Sequence, residues 1–166
     1  MDDRELLQSG YRYALSLTGD PGEAEDLAQQ GWLRLFKRYG GARRPARKRA
    51  MSASSMFTTV RRLFIDRYRR DRRVSLVALE DLAEEPRDLP MPSVDKVDME
   101  RLLAGLRSVE REALYLHAVE GYTAAEIAEL TGQSRGTVLS LIYRARQKLA
   151  QGAARVTDSD DRTGSA

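Results

Sequence analysis

The segment from Thr123 to Leu149 constrains this chain more tightly than any other. It opens with Thr123-Ala124-Ala125-Glu126, turns at Thr131-Gly132-Gln133-Ser134, and continues as Arg135 to Leu149. Thr123 and Glu126 have the spacing of a capping box, in which two side chains satisfy free backbone N–H groups at a helix start. Gly132 suits the left-handed residue that ends a helix, and Ser134 suits the cap of the next one. That next helix carries Val138, Ile142, Ala145 and Leu149 on one face, the spacing of a buried stripe. A short helix, a tight glycine turn and a longer helix make a helix-turn-helix. Its second helix presents its first outward residues to a major groove. Here those are Arg135, Thr137 and Ser140, with Leu139 beside them. Arg144, Arg146 and Lys148 lie further along, where phosphate contact is expected rather than base contact. Leu139 and Leu141 are apolar enough to meet thymine methyl groups, or to bind a partner instead.

The rest of the chain also reads as helical. Leu6, Leu7, Tyr11, Ala14, Leu15 and Leu17 predict an amphipathic helix over Glu5 to Leu17. Asp20-Pro21-Gly22-Glu23 is a start signal, with Asp20 as cap and Pro21 in the first turn. The helix that follows runs to about Tyr39 on a stripe of Ala24, Leu27, Ala28, Gly31 and Leu35, and Gly40-Gly41 stops it. A basic loop comes next, with Arg43, Arg44, Arg47 and Lys48 around Pro45, which breaks helical continuity. A third helix is expected over Ser54 to Arg70. Phe57, Val60, Phe64 and Tyr68 lie near one face, Met56, Leu63 and Ile65 flank it, and arginines crowd the remainder. Val74 to Asp98 holds Pro86, Pro90 and Pro92 among many acids, the composition of a linker. Beyond it, Ser108 is placed to cap a helix over Val109 to Val119, with Gly121 ending it. Strand signals are weak. The expected fold is all-α: two small helical domains, 1–73 and 99–152, joined by a flexible acidic linker, 74–98. The second domain holds the helix-turn-helix, and a polar, disordered tail follows over 153–166.

Several function classes are excluded. There is no cysteine, so disulfides and thiolate metal sites are excluded, and the single histidine, His117, cannot build a zinc site by itself. No glycine-rich phosphate loop and no nucleophile motif occurs. No cofactor, no metal and no catalytic set is expected, and His117, between Leu116 and Ala118, reads as structural. Apolar runs are too short to span a bilayer, and the charged start lacks a signal-peptide core. The expectation is a cytoplasmic protein with no membrane insertion.

Three features remain for function. The helix-turn-helix is the first. The second is the basic pair of segments, Arg43 to Arg49 and Arg61 to Arg73, which can neutralise a phosphate backbone although the net charge is only +3. Aromatics beside such charges can stack on bases, but Phe57, Phe64 and Tyr68 at helical spacing are first expected in the core. The third is the helix after Asp20. Asp26, Gln29, Gln30 and Arg34 mark its polar face, while Trp32 and Phe36 extend apolar surface beyond the core stripe, which suits a protein partner. Trp32 equally suits the core.

These segments resemble a known family. Ala24-Glu25-Asp26-Leu27-Ala28-Gln29-Gln30-Gly31-Trp32-Leu33 resembles the polymerase-binding helix of bacterial sigma factors. Ile65-Asp66-Arg67-Tyr68-Arg69-Arg70 resembles the end of their promoter-melting helix. Glu120 to Ala128, Gly136-Thr137-Val138 and Arg144-Ala145-Arg146 resemble the helix-turn-helix of their last domain. Two domains with no middle one match the extracytoplasmic-function (ECF, group four) type. The resemblance implies that Asp26, Gln29, Gln30, Trp32 and Phe36 bind the clamp helices of core RNA polymerase. It implies that Arg61, Arg62 and Arg69, with Arg43, Arg44, Arg47 and Lys48, hold the melted minus-ten element. The last domain would read the minus-thirty-five duplex through Arg135, Thr137, Ser140, Arg144 and Lys148, and touch the polymerase flap. An anti-sigma protein or other regulator is the further partner implied. Two other readings keep the same motifs: a sigma-like decoy, and a helix-turn-helix regulator that does not itself initiate transcription.

Overall fold

The computed structural model describes residues 2–40, 51–71 and 101–163, with side chains given to Arg69 and Arg155 in the last two stretches. Six helices are bounded within it: α1 (Asp3–Thr18), α2 (Pro21–Tyr39), α3 (Ala53–Asp71), α4 (Ser108–Ala118), α5 (Ala124–Thr131) and α6 (Arg135–Thr163). A further helical turn covers 101–104. The chain divides into two compact units, the first built mainly on α1 to α3 and the second on α4 to α6. Among the described residues, all regular structure is helical. The basic loop with Arg43, Arg44, Arg47 and Lys48, and the acidic linker expected over 74–98, lie outside the described residues.

In the first unit, α1 starts earlier than Glu5 because Asp2 and Glu5 form a capping box. The Glu5 N–H donates to Asp2 Oδ1 at 2.7 Å, and the Asp2 N–H donates to Glu5 Oε2 at 2.8 Å. α2 starts as expected, with the Glu23 N–H donating to Asp20 Oδ1 at 2.7 Å. All five residues of its expected stripe, Ala24, Leu27, Ala28, Gly31 and Leu35, are buried. Gly31 is there for close approach: a Cβ on it would lie 2.9 Å from Val60 Cγ2 of α3.

Two core expectations change in this unit. The buried residues of α1 are Leu6, Ser9, Gly10, Tyr13, Ala14 and Leu17; Leu7, Tyr11 and Leu15 are only half-buried. Tyr13 is fully buried and meets the Phe57 ring at 4.6 Å. On α3 the core is Met56, Phe57, Val60 and Leu63, while Phe64 is half-buried and Tyr68 is 36% exposed. Phe57 and Val60 of the expected face are buried as expected, but Met56 and Leu63 from the flank join them while Phe64 and Tyr68 turn to the margin, because α1 and α2 both pack on the side that holds Met56 and Leu63. A fully buried side chain of this size contributes about 1.5–3 kcal/mol, so Met56, Phe57, Val60 and Leu63, and not the outer pair Phe64 and Tyr68, hold the three helices together.

In the second unit, Leu106, Leu114, Ala145 and Leu149 form a buried cluster, with Leu102 and Leu103 packed against it. Leu116, Ile127, Val138, Leu141 and Ile142 are also buried. Leu141 is 2% exposed, so of the two leucines offered to a thymine methyl or a partner only Leu139, half-buried, keeps any surface. Ser108 is the first residue of α4, not its cap; Arg107 precedes the helix in extended conformation. α6 also departs from expectation. It runs to Thr163, through the residues read as a disordered tail. Ala153 is buried one turn beyond Leu149, so the apolar stripe that supports the helix does not stop at the expected end. No described helix is long and apolar enough to cross a membrane.

Candidate nucleic-acid and protein interfaces

The turn between α5 and α6 is built as its sequence requires. The Thr123 N–H and hydroxyl donate to Glu126 Oε2 at 2.8 and 2.7 Å, and the Glu126 N–H donates back to Thr123 Oγ1 at 3.3 Å. The bonds from the Thr123 backbone and hydroxyl hold the exposed Glu126 carboxyl below its ordinary pKa. Gly132 has φ +74°, and Ser134 Oγ accepts from the Thr137 N–H at 3.1 Å. Upstream, Tyr115 donates its hydroxyl to Glu120 Oε1 at 2.6 Å, and His117 Nδ1 lies 2.9 Å from the Tyr122 carbonyl. A carbonyl only accepts, so Nδ1 carries the proton and His117 ties the loop between α4 and α5. This is the structural role expected of it.

With Val138, Leu141, Ile142, Ala145 and Leu149 buried, the opposite side of α6 faces outward. Arg135 is exposed at its start, and Ser140 and Arg144 are half-buried on that outer side. Thr137 is half-buried, with its hydroxyl 2.8 Å from Ser134 Oγ. Tyr143 and Gln147 complete the outward stripe with Ser140 and Arg144, and both keep surface. Sequence reasoning missed them, although the i, i+3, i+4, i+7 spacing from Ser140 marks them. Lys148 is placed differently from its expected neighbours. Its Nζ donates to both carboxylate oxygens of Glu110, at 2.9 and 2.8 Å. Glu110 is 1% exposed and also accepts the Arg107 N–H at 2.9 Å. Burial alone would raise the Glu110 carboxyl, but the bonds from Lys148 and Arg107, with their charges, outweigh it and hold its pKa below the ordinary value.

In the first unit, α2 carries a continuous outer stripe. Gln29 and Gln30 are exposed and Asp26 is half-exposed; Leu33 is 47% and Phe36 40% exposed. The stripe is internally braced: Gln29 donates to Glu25 and Gln30 to Asp26, each at 3.1 Å. Trp32 is half-buried and stacks on Phe36 with centroids 5.0 Å apart. Its Nε1 is buried and meets no acceptor among the described residues. Leu33, which ends the motif quoted for this helix, is given no site role by the sequence, yet it stands seven residues after Asp26 on the same face.

α3 divides its arginines between two sides. Arg62 and Arg69 are exposed and Arg61 is half-buried. Arg67 turns to α2 instead, 3.1 Å from Asp26 Oδ2 and 3.8 Å from Glu23 Oε1. Phe64 and Tyr68 stack at 5.3 Å on the outer edge of the same helix. Among the described residues, no group of acids and histidine is placed to hold a metal ion.

Comparison with known proteins agrees with this division. Residues 4–74 match the family model described as Sigma-70 region 2, and residues 96–149 match Sigma-70, region 4. The chain is 32% identical over 146 residues to the ECF RNA polymerase sigma factor SigL of Mycobacterium tuberculosis, covering 84% of this chain and 79% of that one. It is 25% identical over 143 residues to the ECF RNA polymerase sigma factor SigM of Bacillus subtilis, covering 84% and 85%. Among solved structures it is similar to the sigma factor RpoE of Bartonella quintana, in a co-crystal with the anti-sigma factor NepR. The TM-score is 0.62 at 25% identity, over 90% of this chain and 92% of that one. With both sigma regions matched in their family order and this identity sustained across most of each chain, the protein belongs to the ECF RNA polymerase sigma factors.

Proposed function

We propose that the two units divide promoter recognition between them. The outer stripe of α2, with Asp26, Gln29, Gln30, Trp32 and Phe36 joined by Leu33, docks on the clamp helices of core RNA polymerase. Arg61, Arg62 and Arg69 of α3, with Arg43, Arg44, Arg47 and Lys48 of the basic loop, hold the melted minus-ten strand. The start and outer face of α6, with Arg135, Thr137, Ser140 and Arg144, read the minus-thirty-five duplex, and the same unit meets the polymerase flap. The acidic segment 74–98 tethers the two. The chain initiates transcription by placing polymerase, and polymerase performs the chemistry.

The observation that carries this reading is the coexistence of two unlike faces in one small unit. α2 offers Leu33 and Phe36 to solvent at 47% and 40% exposure, more apolar surface than a nucleic-acid contact uses. α3 offers exposed arginines, which suit a phosphate backbone and not an apolar groove. A regulator that bound DNA alone would leave the first face without a purpose. An anti-sigma protein is the further partner of this reading, supported by the similarity to a sigma factor crystallised with one. It would act by covering the polymerase and promoter faces together.

Run-off transcription tests the reading. Bacterial core polymerase is supplied with a promoter-fragment library, with and without the chain. Transcripts with defined starts only in its presence are expected. Binding to core without any start would leave the decoy reading, and DNA binding without core binding would leave the conventional regulator. The anti-sigma proposal fails if the factor is fully active in cells and a pull-down recovers no regulator.

A further inference from the structure

Lys148 sits on the DNA-binding helix and carries a positive charge, so it reads as one more phosphate contact. The geometry points elsewhere. Both of its bonds go to a carboxylate that is 1% exposed and belongs to the first turn of α4, although the Lys148 side chain itself stays 45% exposed. Its neighbours along α6 are core residues: Ala145 and Leu149 are fully buried, and Leu141 is 2% exposed. Glu110 in turn is fixed at the start of its own helix by the Arg107 N–H at 2.9 Å, with the Arg107 guanidinium 3.4 Å away. The carboxylate is thus a rigid anchor, and the ammonium is held by it at two points.

We propose that Glu110 is a positioning residue for duplex readout: it sets the rotation of α6 by clamping Lys148, and Lys148 contacts no phosphate. The proposal rests on the reading of α6 as the duplex-reading helix. A helix is stiff over the roughly 20 Å between Arg135 and Lys148, so a roll at Lys148 moves Arg135, Ser140 and Arg144 together. Base-edge readout tolerates displacements of only about 0.5 Å before hydrogen bonds fail. Removing the ammonium leaves a buried carboxylate with too little compensation, and the packing of α4 on α6 must loosen to admit water. Removing the negative charge as well takes that demand away. Neutralising Glu110 therefore rescues the loss of Lys148, which no phosphate-contact role predicts.

The test uses the full chain with core polymerase on a promoter fragment it initiates from, with affinity measured across a salt series. Lys148→Met is expected to lower affinity about tenfold or more while leaving the slope of log affinity against log salt unchanged. The double variant Glu110→Gln, Lys148→Met is expected to return to within about threefold of the parent, again with the parent slope. A double variant that stays as weak as Lys148→Met overturns the proposal. So does a slope lowered by about 0.9, the amount one released counterion contributes. If Lys148→Met alone is too unstable to assay, the double variant decides by the same two readings. Arg144→Ala, at a position expected to meet phosphate, is the parallel control and should lower the slope by about that amount. An unchanged slope there would count against the duplex-readout assignment, whereas failed rescue with a normal control counts against the Glu110 clamp.

Discussion

A side chain at position 132 would have to adopt φ +74°, where Gly132 now sits in the turn between α5 and α6. An L-residue pays about 1–2 kcal/mol for that conformation. Nothing lies within 4 Å of an added Cβ there, so the cost is purely one of backbone. Gly132→Ala is therefore expected to destabilise the helix-turn-helix by about 1–2 kcal/mol without altering its surface. Urea unfolding of the full chain followed by circular dichroism checks this, and an unchanged midpoint would remove the turn from the set of features that hold the helix-turn-helix. At this scale the sequence was easy to read. Thr123, Glu126, Gly132 and Ser134 act through neighbours within four positions, and all four do what their spacing implies.

Between elements the decisive contacts are those that join one helix to another. Gly31 lets α2 approach Val60 of α3, where a Cβ would come to 2.9 Å, and Val60 is β-branched and stiff. Gly31→Val is expected to cost about 1–3 kcal/mol by overpacking, read as a lower thermal midpoint for the transition of the first unit. The Glu110–Lys148 pair joins α4 to α6 and brings a pH dependence. The folded-state pKa of Glu110 lies below its ordinary 4.5, so in the unfolded chain the carboxyl binds its proton more readily. Its stabilising contribution is complete above about pH 4.5 and is lost as pH falls through the lower folded value. Acid unfolding should therefore be steeper in the parent than in Glu110→Gln, Lys148→Met, with the difference confined to the acid side. Equal acid profiles would show that the pair does not couple folding to pH. The exposed Arg67–Asp26 bridge is of another kind: both side chains are nearly half exposed, and such pairs are worth roughly 0–1 kcal/mol.

For the whole molecule, the two faces of the first unit should separate by mutation. Arg61→Ala with Arg62→Ala is expected to slow promoter opening at least tenfold while core binding changes less than about threefold, since each arginine offered to phosphate adds counterion release. Asp26→Ala with Gln29→Ala is expected to do the reverse. Permanganate footprinting of the opened promoter and a core-binding titration read the two effects apart. Equal losses in both assays for either pair would mean that the unit had unfolded or that the faces are wrongly divided.

The sequence by itself determined where α2, α5 and α6 begin, where the chain turns between α5 and α6, and which family the chain resembles. The α2 stripe and the caps at Asp20, Thr123 and Ser134 rest on interactions within about one helical turn, and such interactions are written in spacing. Tertiary structure alone decided which residues join Phe57 and Val60 in the core of α3, placing Met56 and Leu63 inside and Tyr68 outside. It also decided that Leu141 belongs to the core and that Lys148 pairs with the buried Glu110. Periodicity gives each helix an apolar side about a hundred degrees wide, but residues at its margin go inward or outward according to what packs against them. The partner of Lys148 is Glu110, 38 positions earlier, and no local pattern in α6 carries that information.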